Sequence, residues 1–132
     1  MAKQKISGDQ LDTRGGVWTT WTPTITANSG TFTTVSASGR YTQIGKTVHF
    51  SLKITQTSIG SASGFTFFTL PVTALYNPTN DTLGYGREDA LTGALLQCRA
   101  VNATSAAVIK YDNTAIVANG AVFNLKGTYE AA

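Results

Sequence analysis

The chain has 132 residues, of which 42% are hydrophobic and only 13% charged. That is one domain of chain, long enough to bury a core without metal or disulfides, and its low charge and aromatic content exclude a disordered polymer. The net charge of +3 comes from 10 Lys and Arg against 7 Asp and Glu, and no apolar run nears the roughly 20 residues of a membrane helix. No membrane insertion is expected.

Hydroxyls, amides and 13 glycines fill the polar share, and 22 positions are threonine. The cations look scattered: Lys46, Lys53, Lys110 and Lys126 each stand alone, and only Lys3 and Lys5 cluster. A nucleic-acid footprint needs a stripe of Lys and Arg with aromatics between them, so no nucleic-acid partner is expected. The single cysteine, Cys98, excludes an intrachain disulfide and reads as a small buried apolar residue. The N-terminal residues lack the apolar stretch of a signal peptide, so synthesis in a cytoplasm without general secretory export is expected.

Residues 1–16 are polar and end in Gly15-Gly16, which reads as a tail or stem connector. The globular part is assigned to residues 17–132. Residues 21–26 and 31–36 are rich in Thr, Ile and Val and flank Asn28-Ser29-Gly30, the signal of a hairpin. Residues 39–44 form another strand, and Gly45-Lys46 turns the chain into residues 47–57. There Val48, Phe50, Leu52 and Ile54 alternate with His49, Ser51, Lys53 and Thr55, a strand with one buried face.

Residues 64–70 carry three phenylalanines and stop at Pro71. Residues 74–82 read as a loop, with Asn77-Pro78 and Asn80-Asp81 as turn formers. Residues 83–87 are short and extended. Residues 88–95 hold the one candidate helical turn. Residues 93–100, 106–111 and 121–129 complete the strands. Eight or nine short strands predict an all-β fold, an antiparallel β-sandwich or barrel.

Little in this sequence points to catalysis. His49 is the only histidine and sits on the polar face of its strand. Glu88 and Asp89 are adjacent beside Arg87, but strand neighbours point to opposite faces and do not make a paired-acid site, so a solvated turn or loop salt bridge is expected. Gly84-Tyr85-Gly86 lacks the remainder of a nucleotide-binding loop. His49 and Cys98 lack the companions a metal site needs. No catalytic residue, metal or cofactor is expected. Asn80-Asp81-Thr82 and Asn102-Ala103-Thr104 match the glycosylation pattern, which a threonine-rich chain produces by chance.

The aromatics point instead to sugar binding, because a pyranose face stacks on a ring while short polar side chains bond its hydroxyls. The loop and strand of residues 76–85 bring Tyr76, Asn77, Asn80, Asp81 and Tyr85 together in sequence. Trp18 and Trp21 are the second candidates, and sealing an end of the fold or a subunit contact is the alternative role for the tryptophans.

Trp21-Thr22-Pro23-Thr24, the run from Gly39-Arg40-Tyr41 through Ile44-Gly45 to Val48-His49-Phe50, Leu70-Pro71 before Ala74, and the closing Leu125-Lys126-Gly127-Thr128-Tyr129 resemble the C-terminal tip domains of bacteriophage tail fibres and tailspikes. The resemblance covers residues 17–132. It implies a jelly-roll-like β-sandwich and a homotrimer at a virion tail tip. It further implies non-enzymatic recognition of host surface polysaccharide, with residues 1–16 attaching to other tail components. A purely structural trimerisation or decoration domain is the alternative it leaves.

Overall fold

A computed structural model describes residues 17–132, and the expected tail of residues 1–16 lies outside them. The alternation of apolar and polar side chains is realised as nine strands: β1 (Thr19–Trp21), β2 (Ile25–Ser29), β3 (Thr34–Ile44), β4 (Thr47–Ser58), β5 (Ser63–Thr69), β6 (Thr82–Glu88), β7 (Leu95–Ala100), β8 (Ser105–Lys110) and β9 (Ala121–Glu130). The described residues contain no helix. The fold is all-β, as the sequence predicts.

All nine strands belong to one antiparallel sheet in the order β1-β3-β4-β9-β6-β7-β8-β5-β2. β1 and β2 are its two edges, yet only residues 22–24 separate them along the chain. Laid flat, nine strands would hold those edges about 38 Å apart, and the connection spans at most about 14 Å. The sheet therefore curls into a half-barrel. Phe50 of β4 and Phe68 of β5, five places apart in the sheet order, meet across the interior with ring centroids 6.0 Å apart.

The interior is built from alternate positions. Val48, Phe50, Leu52 and Ile54 of β4 are buried, as expected, and face Leu96 and Cys98 of β7, Phe68 of β5 and Phe123 and Leu125 of β9 in one core. Aromatic rings take the room that glycines leave. Gly127 of β9 pairs with both Phe50 and Gly84, and a side chain on it would meet the Phe50 ring at 2.5 Å. Gly39 pairs with Trp21, whose ring covers it at 2.6 Å from where a Cβ would stand. A glycine in a strand interior is explained here by a ring lying over its backbone.

Two connections behave differently in the sequence and in the fold. Gly45-Lys46 is the expected two-residue turn, with Ile44 opposite Thr47 and Gly45 at φ 60° in the first central position, as a type II′ hairpin requires. Asn28-Ser29-Gly30 is not a hairpin. β2 pairs with β5, while β3 pairs with β1 and β4. Gly30, at φ 73°, packs against the Ser61 backbone, and the Thr31 amide donates to Ser61 Oγ at 3.0 Å. The turn residues mark a corner at which the chain leaves the β2 edge for β3, which lies next to the opposite edge strand β1. Beyond it, residues 34–36 of the first expected strand join 39–44 in one 11-residue strand, Thr34–Ile44, while residues 31–33 stay outside it.

Residues 88–95 form no helical turn. They fold around the Glu88 carboxylate, which is wholly buried and accepts the amides of Ala90, Leu91, Thr92 and Val122 at 2.7–3.0 Å. Burial pushes its pKa up, but the amides of Thr92, Val122, Ala90 and Leu91 together pull it down to about 2. The salt bridge expected in this loop is Arg87–Asp89, at 3.7 Å.

Threonine also has a local structural use. Asn77, Asn102 and Asp112 each accept both the amide and the hydroxyl of the threonine two residues on. These are three copies of one Asx turn. The pattern at Asn102-Ala103-Thr104 is thereby a turn signature.

Candidate functional site

The outward face of the sheet carries the charge and the exposed rings. Register places Arg40, Ser51, Lys126, Tyr85 and Gln97 side by side in one row across β3, β4, β9, β6 and β7. Ser38, Lys53, Asn124, Arg87 and Leu95 form the next row. Thr42, His49 and Thr128 stand on the other side, with His49 Nδ1 and Thr128 Oγ1 2.9 Å apart. Strand pairing thus gathers Lys53 and Lys126, which stand alone in the sequence, with Arg40 and Arg87 in two adjacent rows on one face, Ser51 and Asn124 lying between them.

Two adjoining open grooves run along these rows, of about 1100 Å³ and about 530 Å³. They share Arg40, Ser51, Tyr85, Leu95 and Lys126. Trp18 and Tyr111 border the larger one. Among the described residues no Asp or Glu lines either groove. The Trp18 ring lies against the Arg40 guanidinium, 5.6 Å from ring centroid to Cζ, and Tyr85 and Tyr111 are each more than two-thirds exposed. A cation over an indole face is held by the ring's quadrupole, which fixes the guanidinium without blocking its edge.

The structure divides the sugar-binding candidates. Tyr85 lies on β6 and faces the groove. Tyr76 is half-exposed in the loop before β6 and does not line it. The polar side chains of that loop are committed to holding the chain. Asn77 closes its Asx turn. Asn80 donates to the carbonyls of Leu75 and Glu130 and accepts the Glu130 amide. Asp81 pairs with Arg99 at 2.9 Å, and that hydrogen bond holds its carboxyl below the usual carboxylate range. Trp18 borders the groove, whereas Trp21 turns into the core, its ring 6.1 Å from those of both Phe50 and Phe68.

Arg40, Lys53, Gln97, Tyr111 and Lys126 did not stand out in the sequence. Alternation within each strand assigns most of them to an outward face. Only the pairing of β9 between β4 and β6 brings them together, and that is a long-range property. The remaining reactive group, Cys98, is buried, and burial pushes its thiol up to about 12. Among the described residues no group of His, Cys, Asp and Glu could hold a metal ion. No protein-family model, curated protein or solved structure matches this chain.

Proposed function

We propose that this chain is a phage tail-fibre tip or virion-surface domain that binds a host surface glycan without altering it chemically. The observation that carries the glycan reading is the outward groove in which the exposed Tyr85 ring stands between Lys126 and Gln97, with Trp18 and Tyr111 on its borders. Rings offer flat apolar faces to sugar C–H groups, while the neighbouring hydroxyl and amide side chains suit sugar hydroxyls. An open groove rather than a closed pocket also suits a polymer. The family resemblance supports the tail setting, and the lack of paired carboxylates among the described residues lining the groove supports binding rather than hydrolysis.

In this reading the fold belongs with the jelly-roll-like sandwiches, and the meeting of Phe50 and Phe68 across the interior supports two facing layers. Three copies assemble as a homotrimer and present three grooves to a repeating polymer. Residues 1–16 join other tail components, and the protein is made in the bacterial cytoplasm and carried on the virion. Light scattering at micromolar concentration is expected to give three chain masses, and a glycan array is expected to give a polysaccharide signal that Tyr85→Ala removes. A clean monomer excludes the trimer, and an array with no signal excludes the glycan.

The exposed Leu95, on the same face as Tyr85, favours a second reading, a trimerisation or decoration domain whose copies pack through this surface. Leu95→Glu distinguishes the two. It splits the oligomer in the second reading and leaves its mass unchanged in the first.

A further inference from the structure

We propose that the polymer bound in this groove is acidic, a polysaccharide with a carboxylate on its repeating unit. The inference rests on the glycan reading and names the ligand's chemistry. Arg40, Lys53 and Lys126 line the grooves, and none has an ion-pair partner among the described residues; Arg87 alone is paired, with Asp89. Arg40 and Lys126 share one row, two strand spacings or about 10 Å apart. Lys53 pairs with Asn124, two residues from Lys126, so the three backbone positions form a triangle with sides near 8–10 Å. Like charges gathered on one face repel, and an anionic occupant relieves the repulsion.

Geometry narrows the anion. The Arg40 guanidinium is held against the Trp18 ring, which leaves its planar fork of N–H donors for a planar, two-oxygen acceptor. A carboxylate is such an acceptor. Ser51 and Asn124 stand between the cations and Gln97 beyond Tyr85, with the Asn124 amide donated to Asp89 and the Gln97 amide to the Lys110 carbonyl and Asn113. A ligand built chiefly of hydroxyls with an occasional acid matches this mixture. Nucleic acid carries a charge on every nucleotide and calls for a denser track of cations, so the surface favours an acidic polysaccharide.

The test is retention of the protein on immobilised polygalacturonate, alginate and hyaluronate, with dextran and oligo(dT) in parallel. At least one polyuronate is expected to bind, about tenfold more weakly on a fourfold rise in salt. Arg40→Ala and Lys126→Ala are each expected to weaken binding about tenfold. Lys46→Ala, which removes a charge outside the grooves, is expected to leave it unchanged. Dextran bound as strongly as every polyuronate overturns this inference and leaves the glycan reading standing. Failure to bind any saccharide overturns both. Tighter binding of oligo(dT) makes the face a nucleic-acid surface and overturns the acidic-glycan assignment. A change in light-scattering mass for Arg40→Ala or Lys126→Ala does the same by making the face a contact between copies.

Discussion

The Glu88 carboxylate accepts the Val122 amide at 2.9 Å and so ties the loop after β6 to the start of β9. The same side chain accepts three amides of its own loop, from Ala90, Leu91 and Thr92. One buried carboxylate thereby satisfies four backbone donors, three in the irregular loop and one at the start of β9.

Its pKa falls from the ordinary carboxylate value of 4.5 to about 2 on folding, so the ionised side chain favours the folded state. Because the folded value is the lower one, that stability is present above pH 4.5 and is lost as pH falls through about 2. Glu88→Gln is expected to cost roughly 2–4 kcal/mol, since its amide nitrogen faces donors rather than acceptors. Denaturant midpoints measured from pH 5 down to pH 2 are expected to fall steeply for the parent and much less for the variant. Parallel curves would show that Glu88 is not the titrating group.

Phe50 is central to the interior, with its ring about 6 Å from those of Trp21, Phe68 and Tyr129. Phe50→Ala is expected to cost about 3–5 kcal/mol through the cavity it opens over Gly127. His49→Ala, one residue away on the outward face, is expected to stay within about 0.5 kcal/mol. Urea unfolding of the two variants checks the register of β4, and a larger loss for His49→Ala would reverse it.

What the sequence makes legible follows from the range of each interaction. Alternation is local, so the strand at residues 47–57, its buried face and the outward position of His49 are readable from neighbours alone. The turn at Gly45-Lys46 is equally local. Asn28-Ser29-Gly30 carries the same turn chemistry, but whether it closes a hairpin depends on β2 finding β5, which lies more than 30 residues on. Glu88 illustrates the other limit. Nothing around it distinguishes a solvated acid from one encircled by amides, since one of its donors comes from Val122. The groove is legible only in halves, because Arg40, Lys126 and Tyr85 become neighbours through pairings of β9 with β4 and β6.

The two tryptophans are expected to separate by role. Trp21 fills the space over Gly39 and touches Phe50 and Phe68, so Trp21→Ala is expected to lower stability by about 3 kcal/mol. Trp18 is exposed and holds the Arg40 guanidinium, so Trp18→Ala is expected to lower stability by less than about 1 kcal/mol and to weaken glycan binding. Thermal melts and glycan retention of both proteins decide this. Equal melting temperatures for the two variants would contradict the assignment of Trp21 to the core.

Cys98 lies wholly inside, its thiol pushed up to about 12 by desolvation. The thiolate is the reactive form, so at neutral pH the folded protein is expected to resist a thiol-directed reagent. In denaturant the same residue returns to an ordinary thiol and is expected to label fully. Mass spectrometry after brief exposure with and without denaturant reads the difference, and rapid labelling of native protein would require an opening of β7.

Tyr76 and Tyr85 stand nine residues apart and are both exposed, but the fold gives them different surroundings. Tyr85 projects from β6 into the groove, in one row with Lys126 and Gln97. Tyr76 belongs to the loop before β6 and does not line the grooves. Its polar companions Asn77, Asn80 and Asp81 are occupied by Thr79, Glu130 and Arg99. If the proposed glycan-binding role holds, Tyr85→Ala is expected to weaken binding to the host surface strongly, by roughly 1–2 kcal/mol per site and more across several linked sites. Tyr76→Ala is expected to bind as the parent does. Neither ring is buried, so both melting temperatures are expected to stay close to the parent's. Cell-binding titrations of the two single variants, run beside their melts, separate a groove site from a loop site. Loss of binding on Tyr76→Ala with Tyr85→Ala unaffected would move the receptor site to the loop and away from the basic face.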